Sequence, residues 1–441
     1  MTTGAIAAAP SVALEEGGKL ERVLANTVLV ALLFPYVSPV PIGSDVQPFG
    51  LVVAAMALGV LFLLRGHIRH LDTTDVLLLA GGYMYAFYAD WTKQSLDMLF
   101  LRKNAVMLIA FPAYLATKQL YQYMSARTVL GVAWVYLGLT LLQGFVPSVF
   151  NLFSSVFMQR VAALSAERGL TGPCAEPSFL AFMAICFPLV YRLAAANDPG
   201  MDRETYRRQF RNLLVISVVL VLLARSVTGT ALGMGMVGVI VLVRMRSWRR
   251  RLALVGGGLL LVLVAGALVE RLVGGRIAML LRLVATRPSL VLLDASIASR
   301  YVQILGGAYT VVANPAGTGR SVGDPEVFEA ATNALGFRSY VPPTSMDYIL
   351  SNRTPEGDIA VLSPFGDSLS RMGILFVALL ALVIVTLRAP PASVESRVFL
   401  MFGIVSSFPL SFHPFWLLLG MHAGWSWLRA TGRPHSSSLA G

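Results

Sequence analysis

The sequence predicts an all-α polytopic membrane protein, with about 12 transmembrane helices and a large periplasmic loop before the last spans. Three observations carry that expectation: 56% of the 441 residues are apolar, only 13% are charged, and the mean hydropathy is +0.70. Soluble domains hold about 45–50% apolar and about 25% charged residues. The composition therefore excludes a water-soluble enzyme, a disordered protein and a secreted disulfide scaffold. Two cysteines, Cys174 and Cys186, are too few for a disulfide framework.

A bilayer core takes about 20 helical apolar residues, and twelve apolar runs, several of them short, answer to it. Nine of them (24–40, 49–64, 76–91, 105–117, 129–146, 179–193, 213–224, 229–243 and 252–269) fill an expected bundle over 23–269, behind a cytoplasmic segment 1–22. Three more (373–387, 398–409 and 415–427) fill 372–428, and a cytoplasmic tail 429–441 follows. The stretch 212–243 is too long for one span and is broken by Arg225, Ser226 and Thr228, with basic clusters at both ends. It reads as a helical hairpin with Arg225 at its far tip. The last apolar stretch, with Pro409, His413 and Pro414 in its middle, reads the same way.

The net charge of +12 does not point to nucleic acid. There are only four lysines (Lys19, Lys93, Lys103 and Lys118), and no basic stretch interleaved with aromatics. Basic residues collect instead on the cytoplasmic side of membrane helices. That bias puts both termini in the cytoplasm and the long loops on the outer face of the membrane. The first 18 residues lack a basic segment ahead of an apolar core, so no cleaved signal peptide is expected.

Two external segments stand out, 147–176 and the hundred-residue loop 270–371. The larger opens with an amphipathic stretch, 276–293, which either lies along the outer leaflet or packs on the transmembrane core. Its later parts, 314–323 and 341–364, are rich in Pro, Gly, Ser and Asn and read as loop.

No HExxH, CxxC, P-loop or GxSxG pattern is present, and all five histidines fall outside the two external loops. A histidine-centred metal site or a Ser-His pair in the large loop is therefore excluded. The external ionisable residues are mostly arginine and carboxylate. Arg168 and Glu176 flank a turn holding Gly169, Gly172 and Pro173, and Pro177 and Ser178 suit the first helical positions. Glu176 also suits a helix N-terminus for plain dipole reasons. Asp294 and Arg300 follow on an expected helix, and the glycine-rich stretch 314–320, ending at Arg320, reads as a plain turn or as one that offers amides to an anion. Arg225 lies between apolar helices, where an ionisable residue is costly and a role is the default expectation. Guanidinium forks at Arg168, Arg225, Arg300 and Arg320 suit a pyrophosphate whose lipid tail lies in the bilayer.

In the order of these pieces the chain resembles the bacterial O-antigen and exopolysaccharide polymerase/ligase superfamily, and within it the Wzy-type polymerases. The matching pieces are the Arg168 to Ser178 element, Ser226-x-Thr228-Gly229, Asp294 to Arg300, and Asn314-Pro315-x-Gly317-x-Gly319. They cover roughly 130–420. The resemblance implies glycan transfer from undecaprenyl pyrophosphate at the periplasmic face, without metal or nucleotide. The implied partners are the lipid-linked oligosaccharide, the bilayer and a chain-length regulator. It also implies a pyrophosphate clamp of Arg168 and Arg300, then Arg225 and Arg320, with Glu176 as general base and Asp294 as second choice. Ligases of the superfamily carry a His-Asn pair before the glycine that opens the next span. Here that glycine is Gly373, and the positions read Leu362-Ser363-Pro364, which favours a polymerase over a ligase. A membrane transporter and a non-catalytic scaffold are the readings from other classes.

Overall fold

The computed structural model describes residues 11–41, 46–66, 68, 71–88, 98–159, 169–198, 201–226, 288–354, 357–387, 393–406 and 412–430, with isolated positions at 233, 235, 238 and 247. Within them every element is helical, and the one β-bridge pairs Arg353 with Ile359. The bundle begins with α1 (Ser11–Leu33), α2 (Phe49–Arg65), α3 (Thr73–Tyr88), α4 (Met98–Leu120) and α5 (Ala126–Phe145). Then come α6 (Pro147–Phe157), α7 (Pro177–Ala195) and α8 (Arg203–Ala224). A second unit holds α9 (Ala295–Ala313), α10 (Pro325–Leu335), α11 (Phe337–Tyr340), α12 (Pro343–Ser351) and α13 (Pro364–Met372). The chain returns to the bundle through α14 (Ile374–Thr386), α15 (Ser393–Ser406) and α16 (His413–Ala430).

Helix ends follow local chemistry. Pro35 has no N–H to continue α1, so that helix stops at Leu33 although the apolar run extends to 40. Gly66 closes α2 in the left-handed region, its N–H donating to the Phe62 carbonyl at 2.8 Å. Asp202 caps α8 by accepting from the Glu204 and Thr205 amides at 2.8 and 2.7 Å.

Ten of the twelve apolar runs fall on helices; of 229–243 only positions 233, 235 and 238 are described, and 252–269 lies outside the described residues. Among the described residues, two helices, Ala126–Phe145 and Pro177–Ala195, are long and apolar enough to cross a membrane. Phe49–Arg65 and Ile374–Thr386 are apolar but shorter. The flanks of the bundle turn large apolar side chains outward, among them Met56, Leu63, Trp134 and Leu222. Two expectations need correction. The segment 147–176 is not only loop, because Pro147 starts α6; the 341–364 stretch is not only loop, because Pro343 starts α12. A proline at the first helical position uses no N–H that the helix needs. Of the amphipathic stretch 276–293, only 288–293 is described, as a 3-10 turn.

Small residues let the helices approach. Gly420 and Gly424 of α16 lie one turn apart against α4 and the 3-10 turn Tyr121–Tyr123 that follows it: a Cβ on Gly420 would stand 2.6 Å from the Thr117 Cβ, and one on Gly424 2.7 Å from the Tyr121 Cβ. This is the small-xxx-small packing of membrane helices. Polar bonds tie other pairs. The Tyr136 hydroxyl donates to the Leu33 carbonyl at 2.7 Å, and the Tyr121 hydroxyl to the Leu193 carbonyl at 2.8 Å. The second unit has its own core of Val302, Phe328, Phe337, Met346 and Ile359. Its α9 crosses α13 at Gly307 and Gly366, each too close to the other helix's backbone to carry a Cβ.

The bundle has two distinct ends. At one end meet the α1–α2 connection, α6, the turn 169–176, the last residues of α8 and the start of α16, as Ser38 N–H bonded to the Phe157 carbonyl (2.9 Å) and Tyr36 stacked near Phe179 and Phe412 show. The second unit joins this end, where the Ser363 hydroxyl reaches the Val405 carbonyl at 3.4 Å. The opposite end carries Arg65–Glu21, Arg192–Glu395 and a buried Lys118.

Candidate functional site

The turn 169–176 is fixed from two sides. From α5, the Gln143 Oε1 accepts from the Thr171 and Gly172 amides, both at 2.8 Å, while its Nε2 donates to the Thr171 hydroxyl at 2.9 Å. From α8, the Leu223 carbonyl accepts from the Leu170 amide at 2.9 Å. Two glycines make the fit possible. A Cβ on Gly169 would meet the Ala224 carbonyl oxygen at 2.1 Å, and Gly172 is left-handed (φ +53) with Thr140 at 2.3 Å from its missing Cβ. The sequence pattern of glycines is thus explained by close approach to α8 and α5.

This clamp determines where Glu176 and Arg225 stand. Glu176 precedes the first helical residue of α7, half-buried, and its carboxylate does not cap the helix or bond to any described residue. Arg225 caps α8 in the left-handed region (φ 46), the one non-glycine residue to do so among those described. Its guanidinium is exposed and makes no ion pair or hydrogen bond to a described residue. A carboxylate and a guanidinium thus stand at the ends of two helices joined through one turn. Arg168, expected beside them, lies outside the described residues, as do Thr228 and Gly229. Cys174, in the same turn, is fully buried, which pushes its thiol well above the ordinary value and leaves it inert as a nucleophile.

The other expected residues stand on the second unit, each with a local partner. Asp294 caps α9 by accepting from the Ser296 and Ile297 amides, both at 3.1 Å, and is buried. Arg300 turns back along α9 to donate to the Ser296 carbonyl at 3.0 Å and to its hydroxyl. Arg320 pairs with Glu326 and lies 3.9 Å from Asp324; the Glu326 bond first, then both charges, raise its pKa. The turn 314–319 does not offer its amides to an anion. The Gly317, Thr318 and Gly319 amides donate to the Asn314, Ser370 and Arg371 carbonyls at 2.8, 2.8 and 3.0 Å. Gly317 (φ +86) is needed because a Cβ there would meet the Arg371 carbonyl at 2.2 Å. Gly317 and its neighbours therefore dock the second unit onto the root of α14.

Beside this end opens a lateral groove of about 860 Å³ between α1, α2, α5 and α6. Val30, Phe34, Phe49, Leu139 and Phe153 line it, with Arg22 and Asn26 at its far end. Leu139 and Gln143 lie one helical turn apart on α5, so the groove's mouth and the clamp share a helix face.

Three polar clusters escaped the reading of the sequence. Gln143 is one, and a polar residue inside an apolar run was its signal. Gln303 of α9 is the second: its Oε1 accepts from the Leu362 and Ser363 amides, both at 2.8 Å, and its Nε2 donates to the Ala360 carbonyl at 2.9 Å. It holds the Leu362-Ser363-Pro364 segment at the start of α13. The third lies at the opposite end, where the Lys118 ammonium meets Asp75 at 2.6 Å and Asp72 at 2.9 Å. The Tyr114 hydroxyl donates to Asp75 at 2.6 Å. Among the described residues no group of three His, Cys, Asp or Glu is placed to hold a metal.

The arrangement defines an all-helical bundle whose candidate site lies at one end, where an apolar groove meets a rigid polar turn. No family model, curated protein or solved structure matches the chain.

Proposed function

We propose that the chain is a polysaccharide polymerase of the bacterial inner membrane. It transfers a glycan chain from undecaprenyl pyrophosphate onto a lipid-linked repeat unit, with the clamped end of the bundle facing the periplasm. The observation that carries this reading is the Gln143 clamp. It fixes Glu176 and Arg225, both without a partner among the described residues, next to an apolar groove that suits a polyprenyl tail.

In the reaction, an acceptor hydroxyl attacks the anomeric carbon of the donor chain. The new C–O bond forms as the bond from that carbon to the pyrophosphate oxygen breaks, and the electron pair leaves with undecaprenyl pyrophosphate. Glu176 takes the hydroxyl proton. Negative charge grows on the leaving group, so guanidinium groups fixed in advance lower the barrier. Arg225 fills that role with Arg168 and Arg300. Arg320, held by Glu326 and Asp324, is the last-ranked member of the clamp. Asp294, committed to capping α9, is the weaker base. A single back-side displacement inverts the anomeric configuration.

The test is the profile of lipid-linked intermediates in a deletion strain complemented with variants. Deletion and Arg225→Gln should both leave single repeat units on lipid; loss of one such stabilising group costs about 10²–10³ in rate. Long lipid-linked chains would indicate a ligase instead, and an unchanged profile would remove the enzyme reading altogether.

A further inference from the structure

The second unit contains a cavity of about 190 Å³ that the reaction above does not use. Its floor is apolar, with Phe328 and Met346 both buried. Thr332 of α10 lines it from within. The residue is 3% exposed, and its hydroxyl has no hydrogen-bond partner. A buried hydroxyl left in that state costs about 1–3 kcal/mol, so the site is built for something that completes the bond.

The rim is charged. Arg338 and Arg353 line it together with Glu329, one turn before Thr332 on α10. Arg353 is fixed by donating from Nε to the Leu350 carbonyl at 3.1 Å and from Nη1 to the Gly357 carbonyl at 2.9 Å. A guanidinium has five N–H donors, so three remain to Arg353 after those bonds. Neither arginine has an ion-pair partner among the described residues.

An apolar floor suits the C–H face of a pyranose ring. A lone hydroxyl and a carboxylate suit ring hydroxyls, and two unpaired guanidinium groups suit a carboxylate. The volume holds about six waters at about 30 Å³ each, which is the scale of one sugar ring. We infer that this cavity binds a single acidic monosaccharide, a uronic acid residue of the glycan. The inference rests on the glycan-handling reading above and deepens it by naming a sugar class.

The experiment titrates the full-length protein, in nanodiscs, with methyl β-glucuronide, methyl β-glucoside and inorganic phosphate, followed by ligand-observed NMR. The expected result is saturable binding of the glucuronide, with the glucoside and phosphate each bound about tenfold more weakly, or about 1.4 kcal/mol. Arg338→Gln should weaken glucuronide binding about tenfold and leave glucoside binding unchanged. Thr332→Val, close in shape, should weaken both glycosides. Thermal melting of each variant reports whether it is folded. No saturable glucuronide binding, equal binding of glucuronide and phosphate, or wild-type binding by both folded variants would each overturn the inference. Binding is read without turnover, so the two proposals fail separately. A chain that binds glucuronide but makes no polymer loses the polymerase reading alone; one that polymerises without binding it loses this site alone.

Discussion

Replacing Gln143 by Met keeps the side-chain length and removes all three bonds of the clamp. The Thr171 and Gly172 amides, both buried, then lose their acceptor. An orphaned buried donor costs about 1–3 kcal/mol, so the two together cost about 2–6 kcal/mol. The turn lies at an end of the bundle, where local opening lets water satisfy the amides, and this favours the lower part of the range. A cost of about 2 kcal/mol is about thirtyfold in an opening equilibrium. Amide exchange read by mass spectrometry should therefore run about thirtyfold faster over 169–176 in Gln143→Met, with 126–135 of α5 unchanged. Polymer yield should fall with it, because the same turn sets Glu176. Unchanged exchange at the turn would refute the clamp, and faster exchange with full polymer yield would refute its link to the chemistry.

Three other outcomes follow from packing and charge. Gly420→Val pushes a side chain into Thr117 and the Tyr114 carbonyl, so the melting temperature should drop by the equivalent of about 1–3 kcal/mol; an unchanged melting temperature would contradict the close α4–α16 contact. Lys118→Met strands the fully buried Asp75 carboxylate and should cost about 3–5 kcal/mol, most of it regained when Asp75→Asn is added. If the double variant melts no higher than the single, the pairing is not what Lys118 contributes. Asp72 sits half out in solvent: burial raises its pKa, but bonds from Lys118 and the Asp75 and Thr74 amides outweigh that and bring it below the ordinary 3.8. Its contribution is thus present above pH 3.8 and lost as pH falls through the lower folded value. The melting-temperature gap between wild type and Asp72→Asn should close over that acid range, and a gap independent of pH would contradict the pairing.

Much of the helical plan is legible from apolar run length and from punctuation. Pro48, Gly66, Asp202 and Pro177 mark ends that local chemistry fixes. The misplaced boundaries have physical causes. Proline content makes 341–364 read as loop, but at Pro343, as at Pro147, the proline starts a helix. In the turn 314–319 an anion cradle and a plain turn read alike, because glycine content reports backbone freedom without saying what accepts the amides; here the Ser370 and Arg371 carbonyls accept two of them. Asp294 accepts the first amides of α9, and an N-cap and a catalytic carboxylate read alike in sequence. Gln143 and Gln303 act through partners 28 and about 60 positions away, a distance at which spacing within one chain carries no signal.

The most direct test of the central claim is reconstitution. The purified chain in proteoliposomes, given a lipid-linked repeat unit as its only substrate, should produce a ladder of longer lipid-linked chains. One undecaprenyl pyrophosphate should be released per bond made, and each new linkage should be inverted. Glu176→Gln and Arg225→Gln should suppress the ladder while leaving the protein folded. Retained configuration, or a full ladder from both variants, would contradict the account.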